Sequence, residues 1–94
     1  MRKDERCSMD IKINFHSHAL LRLTERGASE KEIIQTIIEG ERFSAKFGRT
    51  GFRHNFSFES YWHDRYYANK QVEAFAVEEV KESWLVITVI VRYF

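Results

Sequence analysis

The segment Trp84–Tyr93, WLVITVIVRY, decides the fold of this 94-residue chain. Most of its residues are β-branched or aromatic, a composition typical of a β-strand. From Leu85 to Val91 every side chain except Thr88 is apolar, so we expect both faces of the strand to be buried. A strand buried on both faces does not suit the edge of a sheet. We therefore place it in the middle.

The segments before this strand complete a predicted sheet. Residues 72–80 are β-rich and are followed by the polar residues 81–83, which predicts an antiparallel hairpin with the Trp84–Tyr93 strand. Residues 52–59 alternate between ring-bearing and polar side chains, as in a strand with one buried face. The sequence leaves residues 60–67 open between a continuing strand and an aromatic loop.

Two helices are predicted upstream of the strands. Ser29 and Glu32 have the spacing of a capping box, and four isoleucines follow at helical spacing before Gly40 ends the helix. A shorter helix is expected from Ser17, a candidate N-cap, to Gly27. Helices followed by strands predict an α+β fold with two N-terminal helices packed on one face of an antiparallel sheet of three to five strands.

Length and composition limit the organisation of the chain. A chain of 94 residues suits one domain, which we place at residues 11–94, with a short edge strand at its start. The charged residues 1–10 are expected to form a flexible leader without a signal-peptide core. Cys7 is the only cysteine and no apolar run reaches membrane-spanning length, so we expect a cytoplasmic protein.

Positive charge is clustered although the formal net charge is only +1. His18, Arg22 and Arg26 recur every four residues and so share an arc of about 80° on the first helix. A second cluster lies in residues 41–53, where Glu41 is the single acid. Its cations are Arg42, Lys46, Arg49 and Arg53. Either cluster is also typical of a solvated surface, so charge alone does not assign a function.

Two motifs resemble a known family. They are Phe15-x-x-His18-Ala19-x-x-Arg22-x-x-x-Arg26-Gly27-x-Ser29 and Val86-Ile87-Thr88-Val89. Over about residues 13–91 they resemble the small bacterial family catalogued as domain of unknown function 4258. That family is grouped with the barnase, EndoU, colicin and RelE-like folds, whose characterised members are mostly metal-independent ribonucleases and often toxins. The chain departs from the family pattern at His16, where relatives tend to have serine, and at Ile90, where they tend to have tyrosine.

The resemblance implies a RelE-like fold and a set of catalytic positions. These are His18, Arg22, Arg26 and Thr88. RNA cleavage without a metal needs a base, an acid and fixed positive charge at the phosphate. An imidazole can take the proton, and arginines can grip phosphate oxygens in a forked geometry. His63, His16 or a tyrosine would supply the second proton carrier. For RNA contacts we predict the basic and aromatic residues Lys46, Arg49, Arg53, Trp62 and Arg65.

We therefore predict a small metal-independent endoribonuclease without a cofactor. It would be the toxin of a toxin-antitoxin pair and would cleave RNA, including ribosome-bound mRNA. A cognate antitoxin would control it. We also expect that it can form a homodimer. The alternative is a non-catalytic protein- or RNA-interaction module on the same fold, with residues 61–67 as its docking surface. His16 and His18 form a His-x-His pair suited to zinc, but no third ligand is indicated, so no metal is predicted.

Overall fold

The computed structural model describes residues 11–94, which form two α-helices and a five-stranded sheet. In chain order the elements are β1 (Lys12–Phe15), α1 (Ser17–Arg26), α2 (Glu30–Glu39), β2 (Glu41–Ser44), a short 3-10 helix (Lys46–Gly48), β3 (Thr50–Trp62), β4 (Arg65–Val80) and β5 (Ser83–Tyr93). The strand order is β1-β5-β4-β3-β2. The predicted α+β class is confirmed, whereas the predicted leader, residues 1–10, lies outside the described residues.

The sheet is mixed, which corrects the prediction of a purely antiparallel sheet. Strands β2 to β5 pair antiparallel with their neighbours, but β1 runs parallel to β5, with Ile13 opposite Trp84 and Phe15 opposite Val86. The alternating sequence of β1 indicates which side chains face the core, where Ile13 and Phe15 are partly buried. It does not encode the direction in which the strand pairs, because the side-chain period is the same in both directions.

Both helices pack on one face of the sheet, which we call the helix face. Buried side chains of α1 and α2 form a single core with alternate residues of β3, β4 and β5. Intervening residues such as Phe75 and Thr88 lie on the opposite side, which we call the open face. The core consists of Ala19, Leu23, Ile33, Ile37, Phe52, Val72, Ala74, Ala76, Trp84, Val86 and Val89.

The position of β5 confirms one part of its prediction and corrects another. The strand lies between β1 and β4, so it is an inner strand as expected. Its second face is not buried: Leu85 and Ile90, on the open face, are only partly covered. The reason is that neither helix packs against that side, so apolar residues remain partly exposed there.

The ends of the helices follow the predicted signals with one exception. In α2 the capping box is present, with Ser29 Oγ accepting from Glu32 N at 3.2 Å and Glu32 Oε1 accepting from Ser29 N at 3.0 Å. In α1 the N-cap is His16 rather than Ser17, because His16 Nδ1 accepts a hydrogen bond from His18 N at 3.1 Å. Each helix has ten residues, and no helix within residues 11–94 is long and apolar enough to cross a membrane.

Residues 60–67, which the sequence left open, form the end of a continuous β3–β4 hairpin. Trp62 pairs with Arg65 across a two-residue turn formed by His63 and Asp64. Both turn residues have positive φ, 53° and 67°, as the two central residues of a type I′ turn require. This turn usually contains glycine or asparagine, and neither is present at positions 63 and 64, so the turn was not predictable from its residues.

The α1–α2 junction is tied to the sheet at Gly27. This residue ends α1 with φ 77°, and an added Cβ would lie 2.6 Å from the Trp62 ring and 2.7 Å from Tyr93 Oη. Lys70, only 4% exposed, donates to Gly27 O at 2.8 Å and pairs with Glu32 at 3.0 Å. The junction therefore needs a residue that has no side chain and that tolerates the left-handed conformation.

Replacing Gly27 with alanine is expected to lower the free energy of unfolding by about 3 kcal/mol, since it adds both backbone strain and a steric clash. Gly48→Ala is the matched control: Gly48 also has positive φ, 71°, but an added Cβ would meet nothing within 4 Å. We expect the control to lose about 1 kcal/mol from strain alone. Urea denaturation of the two variants measures the difference, and equal losses would contradict the close contact at Gly27.

Candidate nucleic-acid interface

A depression of about 260 Å³ lies on the open face beneath the loop that joins β2 to β3. Its floor includes Phe75 of β4 and Thr88 of β5, which are direct cross-strand partners. Its rim is formed by the loop residues Ala45, Lys46, Phe47 and Arg49. The structure thus brings Thr88, a predicted catalytic position, together with Lys46 and Arg49, which were predicted to contact RNA.

The loop over this depression has a defined conformation. Ser44 and Thr50 pair at its base. Within the loop, Ala45 N donates to Arg49 O at 3.0 Å and Arg49 N donates to Lys46 O at 3.2 Å. Phe47 at the tip has φ 61° and ψ 35°, and 85% of its surface is exposed. The loop therefore holds an aromatic ring in solvent beside the depression.

The two cations at the rim are electrostatically available. Within residues 11–94, neither Lys46 nor Arg49 forms an ion pair with a carboxylate. The Arg49 guanidinium carbon lies 5.9 Å from the centroid of the Phe47 ring, which is cation–π distance. Unlike an ion pair, that contact leaves the positive charge of Arg49 uncompensated. An anionic ligand at the rim would meet two positive charges.

Arg53, also predicted to bind phosphate, is occupied by carboxylates on the open face. Its Nε lies 2.8 Å from Glu73 Oε2 and its Nη1 lies 3.3 Å from Glu41 Oε1, while Arg92 Nη1 lies 3.0 Å from Glu73 Oε1. Burial alone would raise the pKa of the Glu73 carboxyl, but its hydrogen bonds with Arg53 and Arg92 hold that pKa below its ordinary value. The hydrogen bond to Glu73 also raises the pKa of Arg53. Arg53 therefore stabilises a local charge network.

The predicted catalytic residues of α1 have three different environments. His18 is exposed in the first turn. Arg22 Nη1 pairs with Glu25 Oε1 at 2.8 Å. Arg26 Nη1 donates to Val89 O at 2.6 Å. None of the three lines the depression that contains Thr88, so the structure does not bring the four predicted catalytic residues together there.

The role of Arg26 follows from the short length of β1. Strand β1 pairs with β5 only as far as Val86, so β1 supplies no backbone donor further along this edge of β5. A buried carbonyl without a hydrogen bond is costly, and the Arg26 guanidinium supplies one. Tyr93 Oη donates in turn to Arg26 O at 2.8 Å. Arg26 therefore fastens α1 to the sheet.

The predicted aromatic and basic contacts of residues 61–67 lie on the β3–β4 hairpin and do not line the depression. Trp62 is half-buried and stacks on Tyr93, with ring centroids 5.1 Å apart and an interplanar angle of 20°. Arg65 is exposed opposite it. Tyr61 and Tyr66 form an exposed pair with centroids 5.6 Å apart. Trp62 thus has a packing role: its ring stacks on Tyr93 and also fills the space where a Cβ at Gly27 would lie.

Sequence reasoning missed the two aromatic residues of the depression, Phe47 and Phe75. Phe75 lies between Ala74 and Ala76 and resembles a core residue in the sequence, because only the folded sheet shows which face its side chain occupies. Phe47 could have been suspected from the sequence, because a phenylalanine beside Gly48 in a basic loop neither forms a turn nor extends an apolar pattern. Within residues 11–94, no group of three His, Cys, Asp or Glu side chains is placed to hold a metal ion.

Comparison of the chain with protein-family models, with curated proteins and with solved structures found no match. The resemblance to domain of unknown function 4258 and the RelE-like topology therefore stay predictions.

The Glu73 network predicts a loss of stability in acid. The unfolded state binds a proton at Glu73 more readily than the folded state, so stability should fall as the pH decreases from about 5 to about 3. Glu73→Gln should lower the free energy of unfolding by about 2 kcal/mol at neutral pH, because the charge-assisted hydrogen bonds with two partly exposed arginines are lost, and should make the acid decline shallower.

Glu41→Gln is the control for this experiment. Glu41 shares Arg53 with Glu73, but its side chain is 69% exposed, against 8% for Glu73. We expect its loss of stability to be much smaller. Thermal unfolding of both variants between pH 3 and 7 measures the effect. Parallel pH profiles for wild type and Glu73→Gln would contradict the depressed pKa of Glu73.

Proposed function

We propose that this protein binds RNA on the open face of its sheet, at the depression lined by Thr88, Lys46 and Arg49. The observation that carries the proposal is the pair of cations, uncompensated by carboxylates of residues 11–94, on the rim of an apolar floor. This corresponds to the RNA-interaction module, the non-catalytic alternative favoured by the distribution of the predicted residues.

Charge supports this proposal through its placement. Because the formal net charge is only +1, attraction of a polyanion depends on the few cations that carboxylates do not neutralise. Lys46 and Arg49 are three residues apart on a short, hydrogen-bonded loop, so both can reach one stretch of phosphate backbone. Arginine offers a forked donor and lysine a point charge, and both suit phosphate oxygens.

The sheet beneath the loop provides surfaces for the other parts of a nucleotide. Phe75 is an apolar floor residue against which a base or sugar can pack. Thr88 contributes a hydroxyl that can donate and accept hydrogen bonds, as can the ribose 2′-hydroxyl that distinguishes RNA from DNA. An open sheet face with helices behind it is also an arrangement used by common RNA-binding modules.

A second candidate is the toxin-type endoribonuclease implied by the family resemblance. The observation that favours it is the exposed His18, with Arg22 one turn later on the same helix. His18 would act as the base, and Arg22 would bind the phosphate after leaving Glu25, its present partner at 2.8 Å. Thr88 and Arg26 would have no part in this site, since one lines the depression and the other bonds Val89 O.

Removing the two rim cations should weaken RNA binding. The double variant Lys46→Ala/Arg49→Ala is expected to lose about tenfold or more in affinity for a labelled, unstructured RNA near 0.1 M salt. The slope of log affinity against log salt should become shallower by about 1.4, since two phosphate contacts are lost. Fluorescence anisotropy at several salt concentrations measures both quantities.

The matched control is Lys31→Ala/Lys81→Ala, which removes the same charge from α2 and the β4–β5 turn, where both side chains are exposed. Its affinity should stay within about twofold of wild type, because only the long-range field changes. Equal losses in the two double variants would show that binding is a general charge effect. The depression would then have no special role.

The ribonuclease candidate predicts RNA cleavage by the purified protein in EDTA. His18→Ala should lower the rate by about 10²- to 10⁴-fold, as expected for loss of a general base, and Arg22→Ala should also lower it. Lys31→Ala serves as the control. Gel analysis of labelled RNA decides the matter: binding without cleavage removes this candidate, and cleavage that survives both substitutions removes the His18 site.

A further inference from the structure

Phe47 combines two properties that both act against stability. Its backbone lies in the left-handed region, with φ 61° and ψ 35°, where a bulky residue is a genuine outlier. The residue is 85% exposed, so burial of the ring does not offset the strain of the backbone. The next residue, Gly48, also has positive φ, 71°, and there the chain uses the residue that adopts it without strain.

Strained residues cluster at ligand-binding and active sites. Unlike His63 and Asp64, whose positive φ belongs to the two-residue β3–β4 turn, Phe47 is a bulky residue in a loop beside a depression. Folding alone would favour glycine or asparagine at position 47. The surroundings of the ring indicate the ligand: Lys46 precedes it, Arg49 lies on the same rim, and the depression opens beside it. The Arg49 guanidinium carbon is 5.9 Å from the ring centroid, and the high exposure of the ring leaves room for a planar group to stack on it.

We propose that Phe47 is a stacking platform for one unpaired base, and that the protein therefore prefers single-stranded RNA to duplex RNA. This inference rests on the RNA binding proposed above and assigns its strand selectivity. Lys46 and Arg49 would hold the phosphates that flank the stacked base. A base within a duplex is covered by its neighbours on both sides, so its face cannot reach an aromatic ring on the protein surface.

Stacking uses the face of the base rather than its hydrogen-bonding edge. Every base has such a face, so this contact gives little sequence preference. Lys46 and Arg49 alone would attract single-stranded and double-stranded RNA alike, because both present phosphates. The ring is therefore the element at this site that distinguishes the two forms. It also explains why an exposed phenylalanine is kept in a conformation that suits glycine.

The test compares Phe47→Ala, Phe47→Trp and Phe47→Gly with wild type, using an unstructured single-stranded RNA of about 12 nucleotides and the duplex of the same sequence. Wild type should bind the single strand at least about tenfold more tightly. Phe47→Ala should lose about 5- to 100-fold in single-strand affinity with little change for duplex, whereas Phe47→Trp should keep the preference. Phe94→Ala, which removes an exposed phenylalanine outside the depression, is the control.

Phe47→Gly adds a readout that a structural role would not give. Because glycine relieves the backbone strain, this variant should melt a few degrees higher than wild type while losing single-strand affinity as Phe47→Ala does. A purely structural phenylalanine would lose both together. A lower melting temperature for Phe47→Gly would overturn the argument from strain.

The outcomes separate this inference from the proposed function. If Lys46→Ala/Arg49→Ala weakens binding but Phe47→Ala does not, RNA binding stands and the stacking role is wrong. Equal affinity of wild type for single-stranded and duplex RNA also overturns the stacking role. If wild type binds neither RNA, the proposed function fails, and the inference fails with it.

Discussion

One-sided coverage of the sheet is the constraint on which the rest of the structure depends. Both helices contribute to a single core on the helix face, where Ala74 and Ala76 are fully buried and their small side chains let the helices approach the strands closely. Nothing equivalent covers the open face within the described residues. That face therefore has to satisfy its own polar groups, which it does through the Glu73 network, and it leaves the floor of the depression accessible.

The cations of this chain are divided between holding the fold and facing solvent. Arg26 and Lys70 donate to the backbone carbonyls of Val89 and Gly27, where they tie the end of α1 to the sheet, and Arg53 is shared between two carboxylates. A cationic group held in such a contact is fixed in the fold and is not free to turn toward a ligand in solvent. The clustering of positive charge in the sequence therefore overstates the charge available to a ligand. Lys46 and Arg49 are what remains at the depression.

Local signals in the sequence were enough for the helices and for the β4–β5 hairpin, because capping boxes, glycine stops and polar turns act over a few residues. Features that depend on distant contacts were not predictable in this way. The parallel pairing of β1 and the bond from Arg26 to Val89 O depend on which strand lies beside β1 and on where their pairing ends, which only the folded sheet reveals. For the same reason Thr88 and the basic loop could each be predicted as candidate site residues, but their proximity at one depression could not be predicted.

The loop at Phe47, which we propose as an RNA-binding surface, opposes the stability of its own fold. A chain selected only for folding would bury this ring or replace it, since exposure and a left-handed backbone both raise the free energy of the folded state. The Ser44–Thr50 pairing and the hydrogen bonds within the loop hold the conformation in spite of that cost. Strain can therefore be kept at the tip of the loop without affecting the core. In the proposed stacking role, a rigid ring presented in this way would lose little entropy when a base stacks on it, so the strain would favour affinity at the expense of stability.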